Sequence, residues 1–391
     1  MTEYRLEELF DLQMGKTPSR NNPEYWTSKV HKWISIGDLS KCGKYISETK
    51  EYLSDKAVEE SGISLIPEET VVMSFKLSIG KTAITAEPMY SNEAIMSFRD
   101  RHLVELLPDY VYYLLSGRDW DERTNKAVMG KTLNKATLSK IRVKIHGIEQ
   151  QRDIVSVLDN VSAIITARQQ QLAALDDLIK ARFVEMFGDP ITNNKRWKTS
   201  LLKDITSKIG SGATPKGGKE SYISQGISLI RSMNVYDSRF QYEDLAHITE
   251  VQARKLDGVT VAEHDVLFNI TGASVARTCV VPSDVIPARV NQHVAIIRCN
   301  SEVVNPYFLN HLLFNDSSKR ELLNIGESGG ATRQAITKDQ LENFMVILPP
   351  IDIQEQFVEF VEQVDKSKVI VQKALDEAQL LFDSLMQQYF G

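Results

Sequence analysis

Gly147-Ile148-Glu149-Gln150-Gln151-Arg152-Asp153-Ile154-Val155 is answered, 203 residues later, by Pro350-Ile351-Asp352-Ile353-Gln354-Glu355-Gln356-Phe357-Val358. The same shift carries Phe187-Gly188 onto Phe390-Gly391. Upstream, Thr17-Pro18 answers Thr214-Pro215, Asn92-Glu93 answers Asn291-Gln292, and Gly130 and Thr132 answer Gly330 and Thr332, at shifts between 197 and 200. Matches in one unbroken order, drifting by the few residues that loop insertions produce, make the chain two copies of one unit. The return of Phe187-Gly188 as Phe390-Gly391 leads us to expect a complete chain.

Each copy closes in a helical pattern. Ile154, Leu158, Val161, Ile165, Arg168, Leu172, Leu175, Ile179, Arg182 and Met186 alternate spacings of four and three, the seam of a coiled coil. Phe357, Val361, Val364, Lys368, Val371, Leu375, Ala378, Phe382, Leu385 and Tyr389 repeat that spacing. At 1.5 Å per residue such a helix reaches roughly 50 to 60 Å. One amphipathic helix predicts ordinary core packing. Two of equal length, each ending a repeat, predict an antiparallel coiled coil, with Arg168 and Lys368 setting its register.

The segments before the helices read as α/β domains with short strands. Trp33 to Ile36, Thr70 to Phe75, Asp265 to Ile270 and Val294 to Ile297 are rich in β-branched and aromatic residues, while Tyr110 to Leu115 and Tyr307 to Leu313 read as matching short helices. The expected fold is α+β: two repeated α/β domains over 1–147 and 189–350, each followed by a long helix, over 148–188 and 351–391.

With 391 residues, 42% hydrophobic and 25% charged, the composition is that of a globular chain of two domains. No apolar run approaches the ~20 residues that span a bilayer, and the start lacks a signal-peptide layout, so a cytoplasmic protein is expected. Cys42, Cys279 and Cys299 form no CxxC, and the histidines form no HExxH, which predicts neither disulfides nor a metal site.

A net charge of −6 argues at first against nucleic acid. The long helices carry it: six acids against four bases in 148–188, and eight against three in 351–391, leave the rest of the chain at +1. The domain loops are locally basic, at Lys16, Arg20, Lys76, Lys81, Lys126, Lys131, Lys135, Lys216, Lys219, Arg277 and Arg333. One basic face can hold phosphates on a near-neutral domain.

Catalytic motifs fail their tests. Gly-Lys-Thr occurs at Gly15, Gly80 and Gly130, but Phe10, Phe75 and Asn125 stand where a phosphate-cradling loop needs glycine. Asn305-Pro306-Tyr307-Phe308 lacks the second proline of an amino-methyltransferase turn and reads as a helix start, and no GxSxG elbow is present. Polar side chains in loops after strands are better candidates, because base edges are read by such groups on rigid scaffolds. The candidate nucleic-acid contacts are Lys16, Thr17, Lys76, Lys81, Asn92, Lys131 and Asn134 in the first copy. In the second they are Thr214, Lys216, Lys219, Asn269, Thr271, Arg277, Asn291, Gln292, His293, Arg333 and Gln334. Turn chemistry is the competing role, above all for Asn and Thr. The candidate coiled-coil interface is Leu158, Val161, Ile165, Leu172, Leu175 and Ile179 against Val361, Val364, Val371, Leu375, Phe382 and Leu385.

Gly15-Lys16-Thr17-Pro18 and Gly212-Ala213-Thr214-Pro215, with Gly330 to Ile336, Val346 to Ile351 and Gln354-Glu355-Gln356, resemble the specificity (S) subunit of type I restriction-modification systems. The likeness spans the chain and is strongest in the second copy. The first departs with Lys144-Ile145-His146-Gly147 where Leu-Pro-Pro stands, and with Leu133 and Asn134 facing Arg333 and Gln334. The resemblance implies two target-recognition domains reading a split site in double-stranded DNA, held apart by the paired helices. It implies no catalysis by this chain. Two modification (M) subunits would methylate adenine with S-adenosylmethionine, and a restriction (R) subunit, where the system has one, would use ATP and Mg. The alternatives are a coiled-coil DNA- or ligand-binding scaffold without a restriction system, and the recognition end of a fused enzyme.

Overall fold

The computed structural model describes residues 1–76, 78–118, 120, 134–327 and 334–391. Two compact units emerge: Met1–Gln169 with Lys373–Gly391, and Gln170–Gln372. Each holds one of the two repeated α/β domains, termed a reader after the resemblance given above, with the adjoining part of the long helix that follows it and a segment of the other long helix.

In the first unit the chain enters on β1 (Thr2–Arg5), which pairs antiparallel with β10 (Arg142–Ile145), so the domain's two ends close on each other. Between them lies a five-stranded sheet. Its order is β2 (Phe10–Met14), β9 (Ile95–Asp100), β6 (Val71–Ser74), β7 (Thr82–Thr85) and β4 (Tyr45–Ile46). A smaller sheet sets β3 (His31–Ile34) between β5 (Glu51–Leu53) and β8 (Tyr90–Ser91), with β3 and β8 parallel. Strands β6 and β7 are buried along their whole length, so both faces of the sheet are covered there.

The second unit repeats this plan. Strands β11 (Thr199–Leu201) and β21 (Met345–Ile347) close the domain. The main sheet is ordered β12 (Thr206–Ser211), β20 (Val294–Cys299), β17 (Val266–Asn269), β18 (Thr278–Val280). The smaller one places β13 (Ile227–Ile230) between β16 (Ala246–Ile248) and the parallel β19 (Ala288–Val290). Strand for strand, β2, β9, β6 and β7 correspond to β12, β20, β17 and β18, so the sequence repeat is a repeat of topology. The strand expected from Trp33 to Ile36 stops at Ile34, because Ser35 and Asp38 form a capping box that starts a short helix at Ile36.

Short helices follow the main sheets at Pro108–Ser116 and Pro306–Phe314, each with proline in its first turn. The long helices are Ile148–Phe187 and Ile351–Phe390. Every four-three seam position on both is buried or half-buried, while most positions between face solvent. In the second unit they run antiparallel: Lys368 Nζ meets Asp176 Oδ1 at 2.6 Å, and Phe357 meets Phe183 and Phe187 with ring centroids 5.5 Å apart in both cases. In the first unit Ile154 and Leu158 share a core with Phe382, Leu385, Met386 and Phe390.

A buried glutamine fastens each reader to its helix. Gln151 Oε1 accepts from Leu107 N at 3.0 Å, and its Nε2 donates to Glu105 O and His146 O at 2.9 Å each. Gln354 repeats the device, accepting from Asn305 N at 2.9 Å and donating to Val303 O at 3.3 Å and Pro349 O at 2.8 Å. Both side chains are fully buried, so every polar atom must find a partner, and each does.

Candidate nucleic-acid interface

In both readers the opening motif presses against the turn that follows the parallel strand of the small sheet. Gly15 N donates to Ile95 O at 3.1 Å and Lys16 N to Ser91 O at 2.8 Å; Gly212 N donates to Asn291 O at 3.1 Å. A Cβ on Gly15 would lie 2.2 Å from Ser91 O, and one on Gly212 would lie 1.7 Å from Val290 O, so only glycine permits the approach.

The turns themselves are built alike. Asn92 N donates to Ile34 O and Asn291 N to Ile230 O, both at 3.0 Å. Asn92 Oδ1 then accepts from Ala94 N, and Asn291 Oδ1 from His293 N, again at 3.0 Å. These are Asx turns. The two asparagines expected to touch bases are turn-formers, and Asn291 is buried. The residue after each is the exposed one: Glu93 in the first reader, Gln292 in the second. Thr17 Oγ1 donates to Glu93 and Thr214 Oγ1 to Gln292 Oε1, which fixes both tips against the opening motif.

In the second reader the hydrogen bonds continue. Gln292 Nε2 lies 3.1 Å from His293 Nε2, and His293 Nδ1 lies 2.5 Å from Thr271 Oγ1. A donating Gln292 places the ring proton on Nδ1, facing Thr271. Thr271 bridges Ala335, and Gly272 N donates to Gln334 O at 3.0 Å, so Gln334 joins the same surface. Thr214, Thr271, Gln292, His293 and Gln334, from four separate loops, are thus brought together. Lys216 and Lys219 are exposed on the loop after Thr214. Arg277 lies 4.5 Å and Arg239 5.3 Å from the ring centre of Tyr236, so one aromatic ring serves two cations. Asn269 is corrected: it is fully buried, and its amide donates to Ser232 O at 2.9 Å, bracing the fold beneath this surface.

In the first reader Arg20 lies 3.7 Å from the ring centre of Trp26, with a 3.0 Å bond to Glu51 Oε2. Lys16 Nζ donates to Ser61 O, Lys76 lies 5.4 Å from the ring centre of Phe75, and Lys81 is exposed. The Thr17 hydroxyl, aided by Lys76 and Arg20 against the effect of burial, holds the Glu93 carboxyl below the usual range. Asn134 is exposed, and its Oδ1 accepts from Thr137 N at 2.9 Å in a helix capping box. Lys131 and Arg333, with Lys126 and the Gly130 and Gly330 motifs, lie outside the described residues. Sequence reasoning missed Trp26. The repeat, which aligns Asn92-Glu93 with Asn291-Gln292, is the signal in the sequence that points to Glu93.

On the helices, Leu158, Val161, Ile179, Val361, Val364 and Val371 are buried, and Ile165, Leu172, Leu175, Leu375, Phe382 and Leu385 half-buried. Lys368 bonds Asp176 and Asp365, at 2.6 and 3.1 Å. Among the described residues no group of three or more His, Cys, Asp or Glu could hold a metal ion, and no helix is long and apolar enough to cross a membrane.

Comparison with known proteins places this geometry. The chain is 24% identical, over 98% of its length and 90% of the relative's, to the MjaIX type I restriction enzyme specificity subunit of Methanocaldococcus jannaschii. Its fold is similar to that of the type I restriction-modification system S subunit from M. genitalium, with a TM-score of 0.54 at 12% identity, covering 100% of this chain and 96% of the other. A chain solved in work on complex assembly and conformational transition of the type I R-M system is similar at a TM-score of 0.62 and 16% identity, covering 100% and 97%. The type I restriction modification DNA specificity domain matches residues 1–176 and again 194–379. The doubled reader, with its doubled opening motif and closing helix, therefore belongs to the specificity-subunit family of type I restriction-modification systems.

Proposed function

We propose that this chain is the non-catalytic, sequence-reading component of a cytoplasmic DNA methylation and restriction complex. Each reader contacts one half of a bipartite site in duplex DNA, through the surface around Thr17 and Glu93 in one and around Thr214, Gln292, His293, Thr271 and Gln334 in the other. The observation that carries this reading is the same loop frame, built twice, with different side chains at its exposed tip. Loop lysines such as Lys216 and Lys219 hold phosphates, and the tips meet base edges.

The long helices, paired within each unit, set the gap between half-sites. At about 1.5 Å per residue, helices of this length match roughly one to two turns of B-DNA at about 3.4 Å per base pair. They also dock partners. Ile164, Leu178 and Val184 on the first helix, and Val369, Ile370, Leu380 and Leu381 on the second, are exposed apolar residues suited to protein contact. Two adenine methyltransferase (M) subunits, matching the doubled chain, supply S-adenosylmethionine chemistry, and R subunits supply ATP- and Mg-dependent cleavage. No cofactor is assigned to this chain.

The test is co-expression with the M subunit from the same genome, followed by mapping of methylated adenines by long-read sequencing. A split motif with a fixed gap, lost when this chain is omitted, is the expected result. Replacing residues 189–350 with another reader should change one half of the motif only. A folded M subunit that binds S-adenosylmethionine yet methylates nothing new in the presence of this chain would overturn the reading.

A further inference from the structure

The two readers share a frame around one exposed side chain, and the chemistry of that side chain differs. In each, a glycine that cannot accept a Cβ packs the opening loop on a strand-end carbonyl, an Asx turn projects the next residue, and a threonine hydroxyl bonds its tip. Conformational freedom is thereby removed from one long polar side chain per reader, the preparation a base-reading group requires. Nothing in folding demands it, since both tips are exposed at turns.

We infer that Glu93 and Gln292 are equivalent specificity-determining residues, each set by its Thr17 or Thr214 bracket to read one base pair, Glu93 taking the amino group of cytosine and Gln292 the edge of adenine. This rests on the DNA-reading role proposed above. An ionised carboxylate offers acceptors only, and the major-groove group that donates without an adjoining acceptor is cytosine N4. A carboxylate would be repelled by phosphates, but Lys76 and Arg20 offset its charge, Arg20 being anchored on Trp26 and Glu51. Gln292 Oε1 accepts one bond from Thr214 and Nε2 is matched with His293, which leaves one lone pair and one N–H. That remainder is complementary to adenine N6 and N7. His293, itself held by Thr271, acts as the positioning residue for the amide.

The experiment uses the full chain with its M subunit and reads methylated sites genome-wide. Glu93→Gln, a near-isosteric exchange that keeps the Thr17 bond, should shift one position of one half-site from cytosine toward adenine, by roughly 5- to 150-fold in relative methylation. The other half-site should stay as it is. Gln292→Glu should do the reverse in the other half. Unchanged preference in both variants, with methylation intact, overturns the inference and leaves the DNA-reading role standing. Loss of all methylation by an assembled Glu93→Gln complex overturns it too, because a residue reading one base pair leaves the other contacts in place. Absence of methylation by the unaltered complex is the separate result that removes the role itself.

Discussion

The two reader-to-helix seams are built on one plan and filled with opposite chemistry. In the second unit, Phe183, Phe187, Phe308 and Phe357 pack ring on ring, with His311 lying 5.3 Å from Phe357. In the first, Tyr110 and Tyr113 stand where Phe308 and His311 stand in the other. Lys44 Nζ there bonds Asp109 at 2.5 Å and Asp159 at 2.6 Å, and Tyr113 donates to Asp159 at 2.5 Å. What both seams keep is the buried glutamine. The common element therefore fixes where the reader sits on its helix, and the material around it is free to be aromatic or ionic.

That contrast can be broken in three ways. Phe187 is fully buried among four aromatic rings, so Phe187→Ala should cost about 3–5 kcal/mol. Its repeat partner Phe390 is only half-buried, and Phe390→Ala should cost about 1 kcal/mol. Equal losses in denaturant unfolding would show that the aromatic seam is not the more tightly packed one. Next in size, Gln151→Ala and Gln354→Ala each remove a fully buried amide that serves three backbone groups and should lose roughly 2–3 kcal/mol. Here the two units should respond alike; a large effect in one only would remove the glutamine from the shared plan.

The smallest effect is acid sensitivity. Burial, with Lys368 nearby, pushes the His311 imidazole down to about 3. In the unfolded chain it titrates near 6.5. Stability from the neutral ring is complete above about pH 6.5 and is lost as pH falls, by about 2 kcal/mol at pH 5. His146 in the first unit is lowered in the same direction by burial, but it is half-buried and contributes less. Thermal melts from pH 7.5 to 5 should slope for the natural chain and flatten for His311→Phe. A slope that persists in the variant assigns the acid response elsewhere.

The long helices were legible because apolar side chains at four-three spacing report directly on which face is covered, and every seam position is buried or half-buried. The strand order was not, since pairing partners depend on contacts far along the chain. At the site, the structure joins Thr17 to Glu93 and Thr214 to Gln292 and His293, while Asn92, Asn134 and Asn291 serve turns and a cap. The cause is chemical: an asparagine amide that suits adenine suits a backbone N–H two or three residues away equally well. The setting of the Glu93 carboxylate could not be read locally, because it depends on Thr17, Lys76 and Arg20 arriving from distant segments.

The first unit is assembled from residues 1–169 and 373–391, with Met386 and Phe390 in the same core as Leu158 and Tyr110. During translation those two pieces are separated in time. At about 5–20 residues per second, some 200 intervening residues delay the arrival of the second piece by roughly 10 to 40 s. The first reader made is consequently the last one finished, and for that interval it presents an uncovered apolar patch to chaperones. A late frameshift in the gene would therefore damage the domain encoded at its start.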